Sequence, residues 1–305
     1  MGETRRGLAL VCVAGVIWGT IGPVVDVVDD RSALSVWTVG AYRAVAAVLA
    51  LLLMVAVAGR WSGCRELVAA RPLRAPAVGV LTATFMVLFF VSVVSVGVSI
   101  ATVVALGWAP VLLLVLGVVR DRRPPSVGQA LTVAAAVVGL LLICLAGGGD
   151  PDPSRPVLGV LTALGSGTAY ALSAEVGRPL STGHDALSVA TVTMVVAAVV
   201  LVVGGLAVAA SRGEALVTTD ATTWLLIVYL GVGTMALAYV LLFAGLRTTP
   251  SRTAVVATLL EPVTAVVIAV VLLGEHLTAA GALGALLIVA AIGSLGLRPP
   301  SPVPQ

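Results

Sequence analysis

Two ionisable side chains stand alone in long apolar surroundings. Glu261 is the only charged residue between Arg252 and Glu275, and Arg43 is the only one between Arg31 and Arg60. A charged group at membrane depth costs about 2.5–3.5 kcal/mol on insertion scales, so it is expected to face a cavity or a partner. Glu261 therefore reads as a substrate or proton site. The structural alternative is a Glu-Pro pair that only fixes a kink, with the carboxylate hydrogen-bonded elsewhere in the bundle. Pro262 has no N–H, which leaves the Thr258 carbonyl without its helical partner. Pro110 does the same to Leu106 and is mainly structural. Arg43 offers a planar fork that would hold a substrate carboxylate or pair with Glu261. Snorkelling of its long stem toward the nearer interface is slightly favoured over both. Trp18, Trp108, Tyr170 and Tyr239 fall inside apolar runs rather than in the interfacial belt. There they would stack on a substrate, close a gate or simply pack. Glu175 stands three residues before Arg178, the spacing of a same-face ion pair.

Other chemistries lack their residues. The only histidines, His184 and His276, fall in short loops, and there is no HExxH or metal-ligand cluster. The chain has no lysine, hence no P-loop. Gly147-Gly148-Gly149-Asp150 superficially resembles an intramembrane aspartyl motif but reads more simply as a turn. Cys12, Cys64 and Cys144 show no pairing pattern, and Cys64 is placed in a loop. No catalytic constellation, metal or cofactor is expected, so the chain reads as not an enzyme.

These residues need elements that hold them in lipid. Of 305 residues, 60% are hydrophobic and 10% charged, and the mean hydropathy is +1.16. An ordinary soluble domain carries roughly 25% charged residues. A helix needs about 20 apolar residues to cross the hydrocarbon core. Ten such stretches are expected, near 8–25, 34–58, 77–96, 99–119, 127–146, 157–177, 186–209, 223–245, 253–273 and 278–296. The links at 96–99 and 274–278 are short enough to demand tight hairpins. The fold expected is all-α, a polytopic membrane protein of ten helices, with a disordered cytoplasmic tail over 297–305.

Arginine placement orients the chain. With the N-terminus inside, thirteen of the seventeen arginines fall on the inner side and three outside, while Arg43 lies within a span. Both termini are then cytoplasmic. A net charge of +3 without a basic run is no nucleic-acid footprint. The expected partners are membrane lipid, a small-molecule substrate and, in a coupled mechanism, protons; the chain would be a monomer or homodimer.

An internal repeat divides the chain. Ala33-Leu34-Ser35-Val36 recurs as Ala186-Leu187-Ser188-Val189, and Ser99–Pro110 matches Ser251–Pro262 at five of twelve positions, both prolines included. Two halves, 8–146 and 157–296, then carry five spans each. An odd number makes them cross in opposite directions, an inverted repeat. The offset sets Trp18 over Tyr170.

Ile17-Trp18-Gly19 in the first span and the block from Ser251 to Gly293, with its LLEPV and LLGE-x-LT runs, resemble the EamA branch of the drug/metabolite transporter superfamily. Ala109 stands where Glu261 stands in the second repeat, and Arg122-Arg123 where that repeat has Gly274-Glu275. The resemblance implies export or exchange of small metabolites, often amino acids, across the inner membrane through a central cavity between the halves. Multidrug efflux of lipophilic cations is the alternative, and it would want Glu261 with aromatics and no nearby arginine.

Overall fold

A computed structural model describes residues 2–146, 155–272 and 276–297, with the side chains of 296 and 297 outside the description. The regular structure of the described chain is helical, apart from one isolated bridge between Leu34 and Ala215. The Gly147–Asp150 motif, Gly274-Glu275 and the 298–305 part of the tail lie outside the described residues.

The helices are α1 (Glu3–Trp18), α2 (Ile21–Arg31), α3 (Val36–Val57), α4 (Trp61–Ala70), α5 (Arg74–Asp121), α6 (Val127–Ala146) and α7 (Pro156–Gly183). The second half continues with α8 (Ala186–Ser211), α9 (Ala221–Tyr229), a π-helical turn (Leu230–Leu237), α10 (Ala238–Leu246), α11 (Ser251–Ala257), α12 (Leu260–Leu272) and α13 (Ala279–Leu297). α1–α2, α9–α10 and α11–α12 each make one apolar crossing with an internal break.

α5 holds two crossings. Gly97 inside it has φ 82° and ψ 167°, a region essentially reserved for glycine. Before it, Phe85 meets Ser166 and Ser92 meets Gly159, so that limb runs antiparallel to α7. Beyond it, Val96 lies against Gly159, Ala105 against Gly167 and Arg120 against Glu175, so the second limb runs parallel to α7. Gly97 is therefore the hairpin expected at 96–99, and the described segments amount to ten crossings.

The same contacts define the two membrane faces. Glu3 meets Thr248, Gly63 meets Asp185, and Asp121 meets Arg252; these mark the face where α1 begins. Arg31 meets Asp220, Leu34 meets Ala215, and Arg155 meets Ser95 on the opposite face. α7 starts at that opposite face, so the halves are inverted. The repeated Ala-Leu-Ser-Val segments open the equivalent helices α3 and α8. Ser35 caps the first of these and Asp185 the second, each accepting a backbone N–H.

Between apolar helices in lipid, close packing supplies the attraction, and small residues permit it. A Cβ at Gly139 would stand 2.6 Å from the Gly284 carbonyl, which brings α6 onto α13. α1 crosses into the second half in the same way: Gly15 meets the Thr258 backbone, and Gly19 meets Glu261 and Thr264.

Two local expectations are corrected. The first span breaks at Gly19–Thr20 and continues to Arg31. Cys64 lies on a helix, α4, whose buried Leu67 anchors it to the bundle. Pro110 lies inside α5, where the backbone dihedrals remain helical, as they would at a proline kink.

Candidate functional site

The site begins with an interrupted helix. α11 ends at Ala257 and α12 begins at Leu260, about a third of the way along the Ser251–Leu272 crossing. The Thr258 carbonyl, expected to be free, accepts the N–H of Glu261 at 2.9 Å in a tighter turn, and the Leu259 N–H reaches the Val256 carbonyl at 3.1 Å. Pro262 then falls in the first turn of α12, where a missing N–H costs no helical bond. Glu261 is thus the second residue of a half-helix whose partial positive N-terminal end points into the bundle. Broken helices at membrane depth are tolerated where they meet protein or line a cavity.

Thr258 is held from three sides. Its hydroxyl donates to the Val255 carbonyl at 2.9 Å, so its single proton is used and the Tyr170 hydroxyl donates to it at 2.7 Å. Gly15 of α1 presses on its backbone. Tyr170 also packs against Phe85, with centroids 5.1 Å apart.

A second distortion faces this one. The π-helical turn from Leu230 to Leu237 interrupts α9–α10 opposite α3. Gly231 brings it against α3, since a Cβ there would lie 2.5 Å from the Arg43 carbonyl. The Trp18 indole N–H donates to the Thr234 carbonyl within the turn at 2.8 Å, and its ring meets Tyr239 edge-on at 5.4 Å.

Arg43 closes the set. It lies about 10 Å along α3 from the nearer end, at 1.5 Å per residue. Its side chain does not snorkel: the residue is 6% exposed, and Nε donates to the Met235 sulfur at 3.2 Å. Packing against the π-helical turn holds it inward. Arg43 lies within electrostatic reach of Tyr239 and Glu261, and Tyr170 within reach of the same two residues. Among the described residues, Arg43 and Glu261 form no direct ion pair.

Five of the six residues singled out in the sequence therefore converge. Trp108 does not join them: it donates to Thr168 at 2.9 Å on the α5–α7 seam. Sequence reasoning missed Met235 and Thr234, and it pointed to Thr258 only through its carbonyl. The run Gly231-Val232-Gly233-Thr234 was the available signal for a distorted turn. Glu175 is also placed differently than expected. It pairs with Arg120 at 2.8 Å and accepts the Ser251 hydroxyl, while Arg178 Nε is buried without a partner among the described residues. No group of three His, Cys, Asp and Glu side chains among the described residues could hold a metal.

Ten apolar crossings in two inverted halves, with three of the crossings broken internally, define the architecture of a membrane transporter. The chain belongs to the EamA-like transporter family, which it matches over residues 5–145 and 157–296. It is similar to the uncharacterized transporter YwfM of Bacillus subtilis strain 168, at 27% identity over 293 residues, covering 92% of this chain and 90% of that one. A solved protein crystal structure superposes with a TM-score of 0.77 at 18% identity, over 95% of this chain and 96% of the other. At that identity the likeness speaks for the fold alone.

Proposed function

We propose that this transporter is a secondary-type exporter of small metabolites that carry both a positive and a negative charge, amino acids or related solutes. It works by alternating access in the inner membrane with both termini in the cytoplasm. The observation that carries the reading is the convergence of Arg43 and Glu261, from α3 of one half and α12 of the other, without a direct ion pair between them. A zwitterion needs one site of each sign, and these two charges supply them. Trp18, Tyr170 and Tyr239 flank the charges, where their rings stack on the solute or close over it. A lipophilic cation would be repelled by a guanidinium in the same pocket, which sets multidrug efflux aside. Glu261 is the candidate proton carrier.

The orientation rests on the arginines, twelve of which among the described residues gather at the face where α1 begins. The functional units are the halves 8–146 and 157–296, and the working form is a monomer or homodimer in lipid. The test loads cells with labelled amino acids and cationic dyes and compares efflux from wild type, Glu261→Gln and vector alone, with and without a pH gradient. The reading predicts selective amino-acid efflux that Glu261→Gln abolishes. Dye efflux by wild type, or equal amino-acid efflux by a correctly inserted Glu261→Gln, would overturn it.

A further inference from the structure

Arg43 holds a guanidinium inside the α3 crossing, and its hydrogen-bond partner is an odd choice. The residue is 94% buried by its 6% exposure, and Nε donates to a neutral thioether, the sulfur of the fully buried Met235. A thioether is a weak acceptor, whereas a guanidinium has five N–H donors in a fork shaped for a carboxylate. No carboxylate among the described residues forms an ion pair with it. Its two terminal nitrogens form no hydrogen bond among the described residues and are not sealed from solvent, so the fork stays open to a planar anion.

The surroundings show that the arrangement is built. Met235 lies on the π-helical turn, where one extra residue per turn re-aims the side chains; such turns occur frequently at functional sites. The turn is anchored to both α1 and α3. Thr234 bonds the Leu230 carbonyl at 2.5 Å and receives the Trp18 indole, while Gly231 lies against the Arg43 backbone itself. The same turn thus sets both the guanidinium and its sulfur cap.

We propose that Met235 is a placeholder ligand. Its sulfur occupies Arg43 while the site is empty and yields to the carboxylate of an arriving solute, so that Met235 sets the affinity for the anionic group. This rests on the reading of Arg43 as the anion subsite of the transport site. It adds a specificity residue and a required solute feature, a carboxylate or an equally planar anion. A weak cap serves the role better than a strong one: it holds the arginine in place without outcompeting the solute.

The test needs no identified solute and no transport. The full-length protein, purified in detergent, is unfolded thermally against acetate, with its neutral isostere acetamide as control, at constant ionic strength. Met235→Leu conserves volume and removes the acceptor. Met235→Gln keeps the length and supplies a stronger acceptor, the amide oxygen. Acetate should stabilise wild type where acetamide does not. The acetate concentration giving half the stabilisation should fall roughly fivefold in Met235→Leu and rise roughly fivefold in Met235→Gln, the size of one modest hydrogen bond.

Opposite shifts in the two variants are the signature, because a merely structural methionine would weaken both. Identical acetate responses in all three proteins, or none in wild type, overturn the proposal. If one variant fails to fold, the other still decides through the direction of its shift. The outcome is independent of the efflux test, which reads Glu261 in cells.

Discussion

Adding one methyl group at Gly19 tests how the first helix supports the broken one. Gly19 has φ −60° and ψ −15°, a backbone open to any residue, so only space decides. A Cβ there would lie 2.5 Å from the Glu261 carbonyl and 2.5 Å from the Thr264 Cβ, whereas real carbon contacts sit near 3.5–4.0 Å. Two contacts about 1 Å too short cannot be relieved by turning a flexible side chain, since one of them is backbone. α1 and α12 must move apart. Overpacking of this kind costs about 1–3 kcal/mol. Gly22, one turn further on, is the internal control: a Cβ there meets nothing within 4 Å, and helical Ala is favoured over Gly by about 0.5–1 kcal/mol. Gly19→Ala should therefore unfold several degrees below wild type and lose most efflux, because Glu261 is displaced. Gly22→Ala should match or exceed wild-type stability with efflux intact. Equal stability and efflux of Gly19→Ala and Gly22→Ala would refute the packing of α1 on the break.

Gly97→Ala places a side chain at φ 82°, ψ 167°, at a cost of about 1–3 kcal/mol; it should lower the yield of folded protein, read by size-exclusion chromatography in detergent. Tyr170→Phe removes the donor to Thr258 while leaving that hydroxyl bonded to Val255, so a loss of about 0.5–1.5 kcal/mol is expected in thermal unfolding. On the opposite face, hydrogen bonds from Thr223 and then Arg31 hold the Asp220 carboxyl down at about 2, below its ordinary 3.8. A carboxyl lowered in this way stabilises above its ordinary value and loses that effect only as pH falls through about 2. The Thr223 amide should accordingly keep its exchange protection from pH 7 to 4 in wild type and lose it throughout that range in Asp220→Ala.

The sequence carried the architecture because lipid imposes lengths and charges that one chain displays openly. Ten apolar stretches, arginines gathered on one face and the Ser99/Ser251 repeat led to two inverted halves, and the brevity of 96–99 led to the Gly97 hairpin. What it did not carry was the local backbone. Pro262 signalled a disturbed Thr258 carbonyl, yet a full break with Glu261 at a new helix start depends on Tyr170 and Gly15 gripping Thr258 from other helices. The π-helical turn is likewise fixed by Trp18, over two hundred residues away in the chain. Arg43 was judged able to reach the interface because stem length is visible in sequence, whereas the Gly231 contact that turns it inward is not. Glu175 was paired with Arg178 by spacing, but its partners Arg120 and Ser251 come from other helices.

The most direct measurement is counterflow in proteoliposomes, using the amino acid exported most strongly in cells together with its amide, which lacks the carboxylate. Wild type, Arg43→Gln and Glu261→Gln would be compared. A site with one charge for each end of the solute predicts that wild type prefers the amino acid, that Arg43→Gln removes the preference over the amide, and that Glu261→Gln impairs both solutes. An Arg43→Gln protein that still prefers the amino acid as strongly as wild type would contradict the account.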